Sequence, residues 1–432
     1  MRPFQIGLLL GFGILAFIAL VMLSNYESSN KEERYKYGQS VTIWGTLEAR
    51  QFRTQLDLLR EKDEALDVVK YVQVDDSEFD SKLINAIANG NGPDIIFVGT
   101  DRLVVHHSKI QPIPYSQYPV RDFKDQFIDV SDIMMFSDGI YALPLTVDPI
   151  VMYWNRDIYA NGNFVQPPET WESVVNNVVP ALTRRDSTRT IQKSSLAFGG
   201  YKNINNAKEI ILTLLLQSGS SMVREESGNY IVGLNTSLNN KSDRPLSTTV
   251  QFYSDFSNPN SPLYTWNSSL PLDLNSFSSG DLATYFGFAS EQSEIEAKNP
   301  NLNYDSSIVP QGKSATIKRT YADVYGLAIL SSSRNKAGSY AVSLQLSGTA
   351  FTQGLADGLG QVPVRRSLFG RSDLGPFQRV AYESALFARS WLDPKDAVSD
   401  DIFATMIEDV VSNRIRSNEA AADAVGRLTL SY

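Results

Sequence analysis

Apolar positions change their period several times along this chain. At residues 41–45, "VTIWG" is a short β-rich run that ends in Gly45. In "TLEARQFRTQLDLLREKD", Phe52, Leu56 and Leu59 fall at i, i+4 and i+7, which predicts a helix. "LDVVKYVQV" is strand-like. "DDSEFDSKLINAIANGNG" then puts Phe79, Leu83, Ile84 and Ile87 on one helical face, with Gly90 as its C-terminal cap. "PDIIFVGT" reads as a buried, near-continuous apolar strand. The order β-α-β-α-β with short connections predicts a parallel sheet covered by helices. Ligand crevices in such sheets lie beyond the carboxyl ends of the strands, here "WGTLE" and "VGTDR".

The middle of the chain is punctuated differently. "YALPLTVDPIVMYWNRDIYANGNFVQPPETWESVV" (141–175) reads as a Pro turn, an aromatic strand, an Asn-Arg-Asp step and a helix start with Thr170 as N-cap and Glu172 in the first turn. Trp171 there is read as packing. Helical patterns follow in "NAKEIILTLLLQSGS" and "STTVQFYSDFSNP", with polar loops carrying N-x-S/T sequons at Asn235, Asn240 and Asn267. Strands return in "SSIVPQGK" and "TYADVYGLAILSSS". "NKAGSYAVSLQLSG" reads as a helix capped by Gly348, and three further helical stretches run to the C-terminus.

Ahead of all this, Ile6 to Leu23 form 18 uncharged, mostly apolar residues. As a helix they span about 27 Å, close to the hydrocarbon thickness of a bilayer. A cleaved signal peptide has a shorter apolar region and a small-x-small site, and "VMLSNYESSN" offers no convincing one, so an uncleaved anchor is the favoured reading. Arg2 precedes the span and Lys31, Glu32, Glu33 and Arg34 nearly cancel after it, which places the body outside. Residues 25–40 are polar without apolar periodicity and read as a tether.

Composition narrows the function classes. A chain of 432 residues exceeds what one core usually organises, so two lobes are expected. A net charge of -9, with Lys and Arg scattered, offers no footprint for nucleic acid. The absence of cysteine removes disulfides, thiolate catalysis, Cys-zinc sites and lipid attachment through an N-terminal Cys. The two histidines, His106 and His107, are adjacent and point apart, so they do not easily share a metal; they are read as loop or surface residues. No G-x-S-x-G, H-E-x-x-H or P-loop occurs, and the acids of "VDDSE" sit at a helix start where dipole reasons suffice. No enzyme, metal or cofactor is expected.

The order of segments resembles the extracellular solute-binding proteins of ABC importers, specifically family 1, the carbohydrate-type group. "GPDIIFV", the run "GIYALP", "VMYWNRDIY" and "PPETWESVV", then "FSSGDLATYFG" and "IVPQGK" are similar to that family's motifs, and the likeness runs from about Val41 to the C-terminus. Arg156 stands where Lys is common, Ala283-Thr284 replaces Ala-Met, Phe288 stands where a Trp is common, and the lipid-bearing Cys is missing. The resemblance implies an α/β, type II periplasmic-binding-protein-like fold, two α/β lobes with crossing hinge segments, to which the apolar stretch Ile6–Leu23 adds an N-terminal transmembrane helix. The expected division is 1–24 anchor, 25–40 tether, 41–145 with 308–350 as lobe 1, and 146–307 with 351–432 as lobe 2. It also implies that a small solute, a sugar or oligosaccharide, is held in the interlobe cleft and delivered to ABC permease subunits. On this reading the 141–175 stretch crosses between lobes, and its prolines and caps set hinge geometry. The body would be extracellular or periplasmic on a single-pass anchor. A surface-anchored binding or adhesion module without a transporter, and a binder of a non-sugar ligand such as a peptide, stay as alternatives.

Sugars are held by aromatic faces together with carboxylates, amides and Arg. The loops expected to face the ligand supply Trp44, Glu48, Thr100, Asp101, Asp148, Tyr201, Tyr285, Phe288 and Tyr325. Each has a plainer alternative. Trp44, Tyr285, Phe288 and Tyr325 serve equally as core, Glu48 as a favourable charge at a helix N-terminus, Asp101 as a helix cap, and Asp148 as the acceptor of its own turn before Pro149.

Overall fold

The computed structural model describes Tyr37 and residues 40–432, apart from 227 and 239–241. The expected anchor and most of the tether lie outside the described residues. Among the described residues, no helix is long and apolar enough to cross a membrane. The fold divides into two compact units. The first holds the described residues up to Ile96 together with Ile329–Leu346, and the second holds Phe97–Ala328 with Ser347–Tyr432.

The first unit follows the predicted alternation. Strand β1 (Val41–Gly45), helix α1 (Ala49–Arg60), β2 (Val69–Gln73), α2 (Phe79–Ala88) and β3 (Ile95–Gly99) succeed one another, and β1 lies between β2 and β3. β1 and β2 are parallel, with Val41 opposite Val69. Phe52, Leu56 and Leu59 are buried, and Phe52 stacks on Tyr71 at 4.2 Å. Asp94 ties the start of β1 to the returning chain: one carboxylate oxygen accepts from Thr42 N–H (2.9 Å), the other from the Ser333 hydroxyl (2.6 Å). Ile84, expected on the buried face of α2, is exposed, while Phe79 and Leu83 are buried. Ile84 follows Leu83 by about 100° of helical rotation and falls outside the stripe that Phe79 and Leu83 bury. Gly90 sits just past the helix with φ +69°, the left-handed conformation that ends helices and favours glycine.

The second unit is organised by β4 (Leu143–Asn155), every residue of which is buried. No turn occurs at Pro144; one continuous strand runs through both prolines. Its first half pairs antiparallel with β8 (Thr320–Ile329) and the short β9 (Val362–Pro363). Its second half pairs antiparallel with β6 (Leu282–Phe288) and β7 (Tyr304–Ser307), and β6 pairs parallel with β5 (Ile191–Leu196). Pro removes a ladder donor and is unusual inside a sheet. The register of β4 against β8 shifts between Tyr325 and Gly326, where a Cβ on Gly326 would stand 2.8 Å from the Leu143 carbonyl oxygen. Thr170 caps the helix that Trp171 begins, as expected, and Trp171 packs against Phe198 and Phe286 with its indole N–H donating to Gln217 (2.6 Å). Gly348 does not end the preceding helix α5 (Lys336–Leu346); it is the extended N-cap of the next, α6 (Thr349–Leu359). His106 lies in the turn after the helix Thr100–Val105, as a loop residue, but is fully buried, and the partly exposed His107 stacks on Tyr141 at 4.2 Å.

A buried ion pair fastens the helices of this unit. Lys208, at the start of α3 (Ala207–Gln217), donates to Asp393 (3.2 Å), Asp396 and Ser399 (3.3 Å). The Lys208 and Asp393 side chains keep only 5% and 4% of their surface exposed. Burial by itself lowers the Lys208 pKa; the charges of Asp393, Glu209 and Asp396 reverse this and hold it above its ordinary value. Lys208→Met strands Asp393 in the interior. It is expected to cost about 3–5 kcal/mol of unfolding free energy, measured by chemical denaturation, whereas the exposed pair broken by Lys82→Met should cost under about 1 kcal/mol.

Candidate functional site

The register of β4 on β8 sets Asp148 directly opposite Asp323, between the pairs Val147–Val324 and Pro149–Ala322. Residues opposite one another on an antiparallel pair present their side chains on the same face, so two carboxylates meet inside a buried sheet. Asp148 does not bond its own turn. One oxygen accepts from Ser290 N–H (3.1 Å) and the other from the Gln361 amide (3.4 Å). Gln361 is held in turn by the Thr146 hydroxyl at 2.7 Å. Asp323 accepts from the Tyr321 hydroxyl (2.7 Å), and the Tyr321 ring meets Phe288 edge-on at 6.4 Å.

Burial drives the electrostatics. Loss of hydration pushes Asp148 up to about 7, against the bonds from Ser290 and with the charge of Asp323 adding to the rise. Asp323 is raised for the same first reason, opposed by Tyr321 and Lys208. Asp101 is raised by desolvation, opposed by Arg102 (3.7 Å) and reinforced by Asp323. A carboxyl group that keeps its proton near neutrality both donates and accepts hydrogen bonds, which is what a polyhydroxyl ligand presents in return.

Four expected residues converge with these. Asp101 lies in the first turn of the helix Thr100–Val105, where Gly99 rather than Asp101 takes the N-cap position. A Cβ on Gly99 would stand 2.5 Å from an Asp101 carboxylate oxygen and 3.3 Å from the Tyr325 ring, so that glycine lets Asp101 and Tyr325 share one spot. Phe288 joins through Tyr321, and Asp148 through Asp323. Thr100 is nearby in sequence but buried, its hydroxyl 3.2 Å from that of Ser390. Two other expected residues lie in separate packing. Tyr285 is 1% exposed, bonded to Glu291 and to the Asn206 amide (3.1 Å). Tyr201 is buried with its hydroxyl on Asp400 (2.7 Å). In the first unit, Trp44 is partly exposed near the end of β1, and Glu48 is the exposed N-cap of α1 without a side-chain capping bond. Asp323, Ser290 and Gln361 were not singled out in the sequence. An acid inside the apolar run "YADVYG" was the available signal for Asp323; nothing local marks Gln361.

The family described as bacterial extracellular solute-binding protein matches residues 61–344. The chain belongs to that family. It is therefore a binding protein and not an enzyme, and membership puts its folded body outside the cytoplasm, extracellular or periplasmic. Among solved structures, it is similar to a cyclo/maltodextrin-binding protein complexed with maltotetraose, at 16% identity over 90% of this chain and 96% of that one, with TM-score 0.71. It is similar also to the cyclic alpha-maltosyl-1,6-maltose binding protein of Arthrobacter globiformis, at 15% identity over 91% and 98% of the two chains, with TM-score 0.74. The GacH receptor of Streptomyces glaucescens, described unliganded and with acarbose, matches at 17% identity over 91% and 98%, with TM-score 0.67. At such identities the likeness shows the fold, a mixed α/β solute-binding-protein fold as the sequence predicted. A curated relative in Brucella abortus (strain 2308), named as a candidate binding protein, is 28% identical over 94 residues; the match spans 22% of this chain and 23% of that relative's length.

The buried acid makes a pH prediction. Because the Asp148 pKa is raised in the fold, its destabilising effect is absent below the ordinary carboxylate value near 4, grows as pH rises, and is complete above about 7. Asp148→Asn, which keeps an acceptor for Ser290, should gain stability relative to the parent progressively over that window. Urea unfolding at steps from pH 4 to pH 8 reads the difference, and a pH-independent difference would contradict the assignment.

Proposed function

We propose that this solute-binding protein captures a sugar or oligosaccharide and passes it to an ABC importer. The observation that carries the reading is the meeting of Asp148 and Asp323 on facing strands, with Asp101 and the rings of Phe288 and Tyr325 gathered at the same place. Acids for hydroxyls and aromatic faces for C–H surfaces are the two components a sugar site requires. Proteins of like fold whose descriptions name maltotetraose, acarbose and a cyclic maltosyl-maltose support the carbohydrate class. Thr100, Tyr201, Tyr285, Trp44 and Glu48 stay proposed contacts from the sequence pattern alone. The same proposal includes a type II, two-lobed clamp with hinge closure over the solute, permease subunits as partners, and a single-pass anchor over Ile6–Leu23. The anchor rests on the length and apolarity of that stretch.

Titration of the full chain, in a detergent without sugar headgroups, against a panel of malto-oligosaccharides, other oligosaccharides and short peptides tests the reading. Tryptophan fluorescence should respond to at least one oligosaccharide. Asp148→Ala should weaken that response by about tenfold to a hundredfold, as expected for losing one charge-assisted hydrogen bond or two ordinary ones. Silence toward every sugar with a response to peptides would transfer the protein to a different ligand class.

A further inference from the structure

A second cluster of charge lies at the start of β8. The short strand β10 (Ala388–Arg389) pairs parallel with β8, setting Thr320 opposite Ala388 and Tyr321 opposite Arg389. Arg319 immediately precedes β8, whose first residue is Thr320, and Arg389 is opposite Tyr321, its second, so both arginines lie at the same end of the ladder. Arg366 reaches the same place from Arg366–Leu368, donating to Asp129 at 2.5 Å, and Arg389 meets the other Asp129 oxygen at 3.4 Å. Asp129 is thus the shared carboxylate. Neighbouring cations are balanced pairwise, Lys318 with Glu383 (3.1 Å) and Lys124 with Asp132 (3.0 Å). Arg366 and Arg389 share this one carboxylate and Arg319 feels the charges of both Asp129 and Arg389, so three guanidinium groups here have one acid between them.

Arg319 is the least satisfied of the three. Its one side-chain hydrogen bond among the described residues goes to the carbonyl of its own neighbour, Lys318 (3.0 Å), although the residue is partly buried. Burial first, and then the charge of Arg389, hold its pKa below the ordinary arginine value, with Asp129 opposing. Two like charges held together at partial burial lower stability unless an anion joins them. Nor is this ordinary basic surface, since the chain as a whole carries a net charge of -9. The planar fork of a guanidinium matches tetrahedral oxyanions in two-point fashion.

We propose that Arg319, Arg389 and Arg366, gathered around Asp129 at the junction of β8 and β10, bind a phosphate-class oxyanion. The source is either a free phosphate or phosphate monoester, or the phosphodiester headgroup of a lipid; the two share the chemistry that three guanidiniums recognise. Arg389 lies opposite Tyr321, the donor to Asp323, yet none of the three arginines belongs to the candidate sugar site, so the proposal does not rest on the proposed function.

The test uses the full chain in a detergent without charge or sugar headgroups. Inorganic phosphate, compared with chloride at equal ionic strength, should raise the melting temperature by about 2 °C or more at saturation. It should also broaden the phosphorus-31 resonance of phosphate in a protein-dependent way. Dihexanoyl phosphatidylglycerol, compared with dihexanoyl phosphatidylcholine, is the lipid arm: stabilisation there without a phosphate response assigns the headgroup source, and the reverse assigns the free anion. In Arg319→Gln either response should weaken at least about tenfold, and Arg389→Gln repeats the measurement if that variant folds poorly. Indifference of the parent protein to both probes, or a response undiminished in a folded variant, overturns the proposal.

Discussion

Strand β4 is the constraint on which the second unit depends. Its residues are buried along the whole length of the strand, its first half is tied to β8 and β9 and its second half to β6 and β7, and a strand used from end to end has one permitted register. A slip of one residue would turn every apolar side chain of β4 to the opposite face. The same register sets Asp148 against Asp323, so the arrangement that builds the sheet also builds the candidate site. The two prolines in β4 have no N–H to give the ladder; beside them the Thr320 hydroxyl donates to the Ile150 carbonyl (2.8 Å), and Gly326 allows the close approach of Leu143.

Polar groups inside this unit follow two distinct rules. Lys208 is buried with opposite charges on several sides and stays ionised, fastening α3 to the segment before and within α8 (Asp396–Val411). Buried Asp148 faces half-buried Asp323, and each takes neutral donors; desolvation raises both, and the charge of Asp323 further favours the protonated form of Asp148. The first arrangement suits a fastener, because removing either partner strands a charge. The second suits a surface that exchanges hydrogen bonds with a neutral ligand, because acids near their midpoint at neutral pH offer both donors and acceptors. Protein groups fill only part of that capacity.

Several local readings went astray where a residue's surroundings, and not its own chemistry, decided its place. His106 and His107 are polar enough for a surface loop, yet the turn after Thr100–Val105 buries one and stacks the other on Tyr141. Gly348 looked like a terminator because helices end in glycine; its backbone is extended and starts α6. Pro144 suggested a turn, but the strand continues because the pairing on both sides of it outweighs one missing donor. Tyr285 is a different case: its apolar run fits either a core or a site, and it is 1% exposed and bonded to Glu291 and Asn206.

The sequence by itself determined the β-α-β-α-β order of the first unit, the helix faces of Phe52, Leu56 and Leu59, the Thr170 cap and membership in a family of solute-binding proteins. These rest on period, capping chemistry and motif succession, all of which act over a few residues. Only the tertiary structure decided that Asp148 faces Asp323, that Gln361 and Ser290 hold Asp148, that Gly99 joins Asp101 to Tyr325, and that Arg366 and Arg389 meet on Asp129. Each of those contacts joins segments separated by more than a hundred residues, except where Gly99 and Asp101 are neighbours. Local periodicity carries no information about which strand will lie beside which, because pairing is chosen by the burial of the whole sheet.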